Sequence, residues 1–454
     1  MRGLPTPRFI PQLALLLAIA GTACHRERPN VVLVTLDTSR ADHFGAYGYP
    51  ADTTPHFDSL AEDGVLFTQA IAQASLTMVS HASFFTGRYP PGHGLRVAYA
   101  ASGYRLDDGV PTTASVLRDH GWWTQAFLSS FTVSDFFGLH RGFDAVDDGL
   151  EGDDLDRWNV GPDRLTWDVR KNQRRADETA DRVLAWLPSA PEPFFLWIHF
   201  WDPHDRLLVP PEDVVARFPP RPGLKRARDL ALYDAELYFV DRQLGRVLDA
   251  LEAQGLYDRT LILVVADHGQ GLGDHGWWPH RILYQEQIRI PLVIKPVAGD
   301  RGGTVSDLVR GVDLHPTVLE LAGLEAPANL DGRSLRGLME GRSEAPRTAY
   351  AELLAAFDAN SGFHKLRPRD AVLHAFIEPP WKLILHPQSP EANELYDLES
   401  DPGELQNLYA SQPVAARRLT ERLRKLDPFV RKPFEPGPTD TEAYERLKAL
   451  GYIE

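Results

Sequence analysis

Residues 261–276 read LILVVADHGQGLGDHG, and this stretch decides the fold class. Six apolar residues, Leu261 to Ala266, follow Arg259-Thr260 and precede a glycine-rich segment. A short unbroken apolar run of this kind marks a strand buried on both faces of a parallel sheet. Asp267 and His268 fall at its carboxyl end, where ligands of open α/β sheets bind. A carboxylate and an imidazole side by side can turn to one cation, with Gly269, Gly271 and Gly273 leaving the backbone room to approach a ligand. The plainer alternative is a polar loop in which both side chains bond only the backbone. Asp274 and His275 repeat the pair seven residues on, and read equally as supports of a site or as surface loop.

The same pattern recurs along the chain. Asn30 to Leu36, NVVLVTL, ends in Asp37, and Pro193 to Phe200, PFFLWIHF, ends in Trp201-Asp202-Pro203-His204-Asp205. Trp122 to Phe127 and Ile290 to Lys295 are further strands. Helices are expected from Thr54-Pro55 onward, over Thr113–His120 and Glu178–Leu187, and over Asp313–Ala322 with Pro316 in the first turn. Leu230, Tyr233, Leu237, Val240, Leu244, Val247, Leu248 and Leu251 recur at three- and four-residue steps, so a long amphipathic helix closes at Gly255. Between Ser75 and Pro90 a loop feeds a short helix that stops at Gly87. Thr77, other hydroxyl residues and His81 crowd its start, where free N–H groups and the helix dipole favour an anion.

Alternating strands and helices imply an α/β fold, a large mostly parallel sheet with helices on both faces. Residues near 150–175 are polar, acidic and aperiodic, and read as an irregular surface insertion. Gly341 to Arg347 makes a boundary. Beyond it Ala371–Phe376, Trp381–Leu385 and Glu394–Tyr396 read as short strands and Gln412–Leu426 as a helix, which suggests a small C-terminal antiparallel sheet with a helix packed on it. The last residues form one short helix.

The chain has 454 residues, a net charge of −15 and no long basic block, which argues against nucleic acid as a partner. Its N-terminus is different in kind. Arg2 and Arg8 precede the apolar run Leu13–Ala20 and then Gly21-Thr22-Ala23-Cys24, the layout of a signal peptide over residues 1–24. The apolar core is too short for a comfortable transmembrane helix. Cys24 is the only cysteine, so no internal disulfide forms. Its place resembles a bacterial lipoprotein processing site, although Gly21 stands where that motif carries a Leu-like residue. The expectation is an exported protein, periplasmic or at the cell surface, with a lipid anchor at Cys24. An ordinary secretory signal with an incidental cysteine is the alternative.

Asp37, Thr77, His204, Asp267, His268 and His280 all fall at strand ends or in neighbouring loops. One hydroxyl, two carboxylates and several imidazoles suit a metal-activated nucleophile attacking an anionic ester. Together the stretches PNVVLVTLD, TMVSHASFFTGRYP at Thr77, DPHD at Asp202, ADHGQGLGDHG, LYQEQIRIPLVI at Leu283, DLHPTVLELAG at Asp313 and ELYDLESDPGELQNL at Glu394 resemble the sulfatase branch of the alkaline-phosphatase-like hydrolases. The resemblance runs from Pro29 to about Tyr409. It implies a catalytic domain over 29–342, a C-terminal α+β subdomain over 343–427 and a tail over 428–454.

By the same resemblance, Asp37 is the first metal ligand and Asp267 and His268 are the metal-binding pair. Thr77 stands where sulfatases carry the cysteine that is oxidised to formylglycine. His204 matches a histidine that binds the anionic group, and His280 takes the place of a lysine near the leaving group. His81 is placed on the substrate side. Arg88 joins it there, chiefly as a buttress of the helix. The departures are chemical. With neither cysteine nor serine at 77, formylglycine cannot form, and Val79 and His81 replace the proline and arginine of the modification motif. Thr38 replaces the second aspartate of the usual calcium site, and His268 stands where many sulfatases have asparagine.

A formylglycine hydrate releases sulfate by collapsing to the aldehyde, whereas a threonine ester needs water or a second acceptor. Attack at phosphorus is routine with metal help and attack at sulfur is hard. The expected protein is therefore a hydrolase or transferase with Thr77 as nucleophile and fourth metal ligand, using one divalent ion (calcium, manganese or zinc). Its partner is an anionic ester, of a small molecule, glycan or lipid headgroup, with phosphate or phosphonate favoured over sulfate. Ser80 and Ser75 are weaker nucleophiles. The rivals are a true sulfate-ester hydrolase and a non-catalytic anion-binding lipoprotein.

Overall fold

The apolar runs at 30–36, 194–200 and 260–266 are three adjacent strands with every residue buried. A computed structural model describes residues 28–100, 103–150, 157–160, 165–168, 172–204, 208–297, 303–357, 366–426 and 441–450. The expected leader and Cys24 lie outside these residues. Among them no helix is long and apolar enough to cross a membrane.

The strands are β1 (Asn30–Leu36), β2 (Val65–Ile71), β3 (Trp123–Leu128), β4 (Ala145–Asp147), β5 (Arg157–Val160), β6 (Leu165–Asp168), β7 (Phe194–Phe200), β8 (Thr260–Ala266), β9 (Arg289–Lys295), β10 (Gly303–Val305), β11 (Val309–Arg310), β12 (Ala349–Leu353), β13 (Leu373–Glu378), β14 (Trp381–Leu385) and β15 (Glu394–Asp397). The main sheet runs β10-β2-β9-β8-β1-β7-β3-β4, with β11 beside β2. Its pairings are parallel except that β9 runs against β8 and β2. The reason lies in the β8–β9 connection. It holds two short helical turns, Asp274–Gly276 and Gln285–Ile288, and no crossover helix to carry the chain back to the starting edge.

The longer helices between these strands, among the described residues, are α1 (Pro55–Asp63), α2 (Thr77–Thr86), α3 (Thr113–Asp119), α4 (Ala176–Trp186), α5 (Ala227–Ala253) and α6 (Leu314–Leu321). α1 and α4 pack on α5, while α2, α3 and α6 pack on one another. The seam of α5 is the predicted one, with Tyr233, Leu237, Val240, Leu244, Val247 and Leu251 buried. Asp241 on that seam accepts the His56 and Phe57 N–H groups at 2.8 Å each, which caps the start of α1. The segment expected to be irregular near 150–175 contains an antiparallel pair, β5 with β6. Trp and β-branched residues on either side of Gly161-Pro162 are the sequence signal for it.

β12 to β15 form a four-stranded antiparallel sheet, covered by α7 (Pro413–Lys425) through Ala416, Leu419 and Leu423. The final helix, α8 (Thr441–Ala449), returns to the main sheet's side, where Arg446 lies 4.1 Å from the Phe131 ring.

Three histidines away from the site are sealed in as neutral rings. His93 accepts the Leu95 N–H at Nδ1 (3.3 Å) and meets Ser83 Oγ at Nε2 (3.0 Å). His315 bonds Thr113 Oγ1 (2.8 Å) and His374 bonds the Tyr350 hydroxyl (2.9 Å). Burial, with Arg96 or Arg88 nearby, pushes His93 and His374 down to about 3 and His315 down to about 4. The unfolded chain takes up protons below about 6.5 and the fold does not, so the stability these rings lend is present above that pH and lost as pH falls toward 3. Denaturant melts are expected to hold level above pH 7 and to weaken from pH 6.5 to 4, less steeply in His93→Gln. Equal slopes in the two proteins would refute the assignment.

Candidate active site

Strand register builds the centre of the site. Leu36 pairs with Ala266 and with Phe200, so Asp37 and Asp267 leave neighbouring strands side by side. The Asp37 N–H donates to Phe200 O (2.9 Å) and the Asp267 N–H to Leu36 O (3.2 Å), which carries the ladder through both aspartates. Thr38 then turns the chain with φ 45°, a strained value for a β-branched residue. The Tyr233 hydroxyl on α5 holds that turn, donating to Thr38 O (2.8 Å) and accepting from Arg40 N–H (2.9 Å). Arg40 reaches across to the Gln270 and Gly271 carbonyls and pairs with Asp274 at 2.6 Å, so the loops after β1 and β8 are tied together.

Gly269 and Gly271 are required by the packing of the chain's own backbone. A Cβ on Gly269 would meet Glu286 O at 2.1 Å, and one on Gly271 would meet Trp277 O at 2.4 Å. His275 belongs to the loop's outer framework. It stacks on Tyr284 (3.6 Å) and bonds Glu286 (3.0 Å).

Asp37, Asp267, His268 and Thr77 are fully buried together. Thr77, the first residue of α2, donates its hydroxyl to Asp37 Oδ2 (3.1 Å) and lies 3.4 Å from His268 Nε2. His268 Nδ1 is 2.8 Å from Gly269 O, an acceptor only, so Nδ1 carries the proton and the Nε2 lone pair faces the cluster. Asp267 Oδ1 accepts the Thr38 and His268 N–H groups at 3.1 and 2.7 Å. Asp267 Oδ2 and Asp37 Oδ1 have no hydrogen-bond partner among the described residues. Burial, and then the Asp267 carboxylate, hold the Asp37 carboxyl well above the usual range. Two facing carboxylates with orphaned oxygens and an imidazole lone pair fit a divalent cation. Asp37, Asp267 and His268 each offer an atom within 4.8 Å of the others.

The remaining predicted residues divide. His280 stands 4.8 Å ring to ring from His268 and 5.2 Å from His204, and its Nδ1 bonds Ser75 O at 2.9 Å. His204, half-buried, stacks on Trp201 at 3.9 Å. Burial, with His268 and Arg281 nearby, holds both imidazoles well below their usual value. His280 thus lies between His268 and His204, next to the segment that leads into α2.

Neither His81 nor Arg88 stands on the substrate side, where His81 was expected outright and Arg88 chiefly as a buttress of the helix. His81 Nδ1 donates to Thr77 O at 2.8 Å, and its ring packs inward against Trp197, Phe84 and His199. It holds the first turn of α2. Arg88 follows Gly87 at the far end of α2, about 15 Å along the axis from Thr77. Ser80 spends its hydroxyl on Ala74 O (2.8 Å), which leaves Thr77 as the helix-start hydroxyl at the carboxylates.

Two residues were missed in the sequence. Arg281, buried and at φ 79°, adds a fixed positive charge near His204 and His280. His199, inside an apolar strand, has Nε2 3.4 Å from Asp37 Oδ2. A polar residue one place before the end of PFFLWIHF was the only available signal for it.

Comparison with known proteins places these observations in context. The model of the sulfatase family matches residues 29–324, and that of the N-sulphoglucosamine sulphohydrolase C-terminal region matches 273–428. The chain is 27% identical to an arylsulfatase of Clostridium perfringens, over 88% of this chain and 93% of that protein. It is 22% identical to an N-acetylglucosamine-6-O-sulfatase of Bacteroides thetaiotaomicron, over 97% and 94%. Among solved structures it shares a fold with the phosphonate monoester hydrolase of Agrobacterium radiobacter, with TM-score 0.71 and 23% identity over 88% of this chain and 95% of that one.

Proposed function

The chain belongs to the sulfatase family and is an ester hydrolase of the alkaline-phosphatase-like superfamily, and from that premise we propose that Thr77 is its nucleophile and a phosphate or phosphonate ester its substrate. The observation that carries this reading is the Thr77 hydroxyl, 3.1 Å from Asp37 Oδ2 at the N-terminus of α2. Its proton has an acceptor at that oxygen, and the attacking oxygen lies where free helix N–H groups favour an anion.

In the reaction, Thr77 Oγ1 bonds to phosphorus as the bond from phosphorus to the leaving oxygen breaks. His204 or His280 protonates that oxygen. Burial favours the neutral form of both rings without substrate, and a bound anionic ester favours their charged forms. Arg281 holds the anion's charge throughout. Water then attacks the phosphothreonine, restoring the hydroxyl and releasing the acid; an alcohol in its place would make the enzyme a transferase.

Asp37, Asp267, His268 and Thr77 would hold the family's divalent ion. Bound there, it lowers the pKa of the hydroxyl and neutralises the ester's oxyanions. An imidazole donor in a small, mixed set suits zinc or manganese better than calcium, which takes six to eight oxygens. Sulfate is the second reading, favoured by the names of the curated relatives. A panel of aryl phosphate monoester, phosphodiester, phosphonate monoester and aryl sulfate, each with zinc, manganese or calcium, separates the two. Turnover of aryl sulfate alone would overturn the phosphorus-ester reading.

Export and lipid attachment at Cys24 are part of the same proposal, supported by the basic, apolar and small-residue order of residues 1–24. Radiolabelled palmitate is expected on the parent in cells and absent from Cys24→Ser. An unlabelled parent would refute the anchor.

A further inference from the structure

His199 is a polar side chain where the core calls for an apolar one. Its backbone pairs with Thr35 across β1 and β7, and the pleat therefore gives it the sheet face that carries Asp37. The ring has no exposed surface. Neither of its nitrogens has a hydrogen-bond partner among the described residues. Most of the surrounding donors are already committed, although His81 Nε2 is itself without a hydrogen-bond partner among the described residues. Trp197 donates its indole N–H to Thr35 Oγ1 (3.0 Å), Trp201 donates to Gln173 Oε1 (2.5 Å), and His81 Nδ1 is held by Thr77 O (2.8 Å). Buried imidazoles are rarely left in that state. The acceptor His199 does face is Asp37 Oδ2, 3.4 Å from Nε2.

We propose that His199 is a positioning residue for the metal site, its Nε2–H donating to Asp37 Oδ2 and fixing the orientation in which Asp37 meets the cation. It acts through Asp37 and not as a ligand, because its nitrogens stand outside the Asp37–Asp267–His268 set whose atoms lie within 4.8 Å of one another. Outer partners of this kind hold a ligating carboxylate against rotation and so raise metal affinity. The same ring is a burden to the metal-free chain, since a fully buried donor there has only a marginal contact. A packing role and a positioning role therefore predict opposite effects of an apolar replacement. The inference rests on the metal-dependent reading above.

The test uses the full chain and Zn²⁺ alone, titrated against a chromogenic chelator. His199→Leu is expected to weaken zinc binding by about 10- to 100-fold. Its metal-free form should melt no lower than the metal-free parent. His199→Gln, whose amide N–H can reach the place of Nε2, should bind zinc within about threefold of the parent by keeping the donor. Unchanged zinc affinity in His199→Leu would overturn the proposal. So would equal losses in both variants together with lower metal-free melting, which is the mark of packing alone. Failure of the underlying reading looks different: the parent itself would bind no zinc, and Asp267→Asn would change nothing.

Discussion

Thr77→Ala is expected to lose about 10⁴-fold or more in kcat on whichever ester the parent turns over, because the variant has no atom to form the covalent ester. Ser80 is not free to substitute. Ser80 is bonded to Ala74 O and sits one turn on, facing the loop. Thr77→Ser keeps a hydroxyl at the same carboxylate and should retain most of the lost activity, within about 10- to 100-fold of the parent. The methyl of threonine packs in a fully buried position, and its loss loosens the attacking rotamer. Metal content is measured beside kcat, since Thr77 Oγ1 also lies 3.4 Å from the lone pair of His268. A Thr77→Ala protein that is metal-loaded and fully active would end the nucleophile assignment. One that is metal-loaded and inactive would separate nucleophile from ligand.

Removal of the metal should have the second-largest effect. Prolonged chelation is expected to abolish turnover and to lower the melting temperature, and zinc or manganese should restore both. A cation present at 100 times its Kd stabilises the fold by about 2.7 kcal/mol. Asp267→Asn should lose both the activity and the metal-dependent melting shift. Asp37→Asn should be inactive too, yet its chelated form should melt higher than the chelated parent. Burial and the Asp267 carboxylate already hold the Asp37 carboxyl well above its usual range, so the metal-free fold carries a repulsion that the amide removes. Scanning calorimetry of the three proteins, with and without chelator, checks the signs. Equal melting of the chelated parent and chelated Asp37→Asn would mean that the two carboxylates are not the pair that a cation relieves.

Much of this site was legible because the chemistry sits at strand ends. An apolar run followed at once by Asp37, or by Asp267-His268, states both where the strand stops and what it presents there. The proposed nucleophile was equally visible, since a threonine at 77 excludes formylglycine whatever surrounds it. His204 and His280 came from matching motifs, and their rings lie 5.2 Å apart, with His280 4.8 Å from His268. The direction of a side chain on a short helix was harder to read. His81 and Arg88 lie four and eleven residues beyond Thr77, and sequence distance did not say that one ring turns inward to Thr77 O and the other group rides to the far end.

The sequence by itself determined the α/β class, the three central strands, the amphipathic α5 and the residue types at the strand ends. Each of these follows from local pattern: burial on two faces, a 3.6-residue period, or the identity of one side chain. The tertiary structure alone decided that β9 runs backward, that glycines 269 and 271 make room for the protein's own backbone, and that His199 and Arg281 stand at the site. Those facts depend on pairing between segments far apart in the chain. The register of β1 against β7 and β8 converts separated residues into neighbours, and no local period encodes a register.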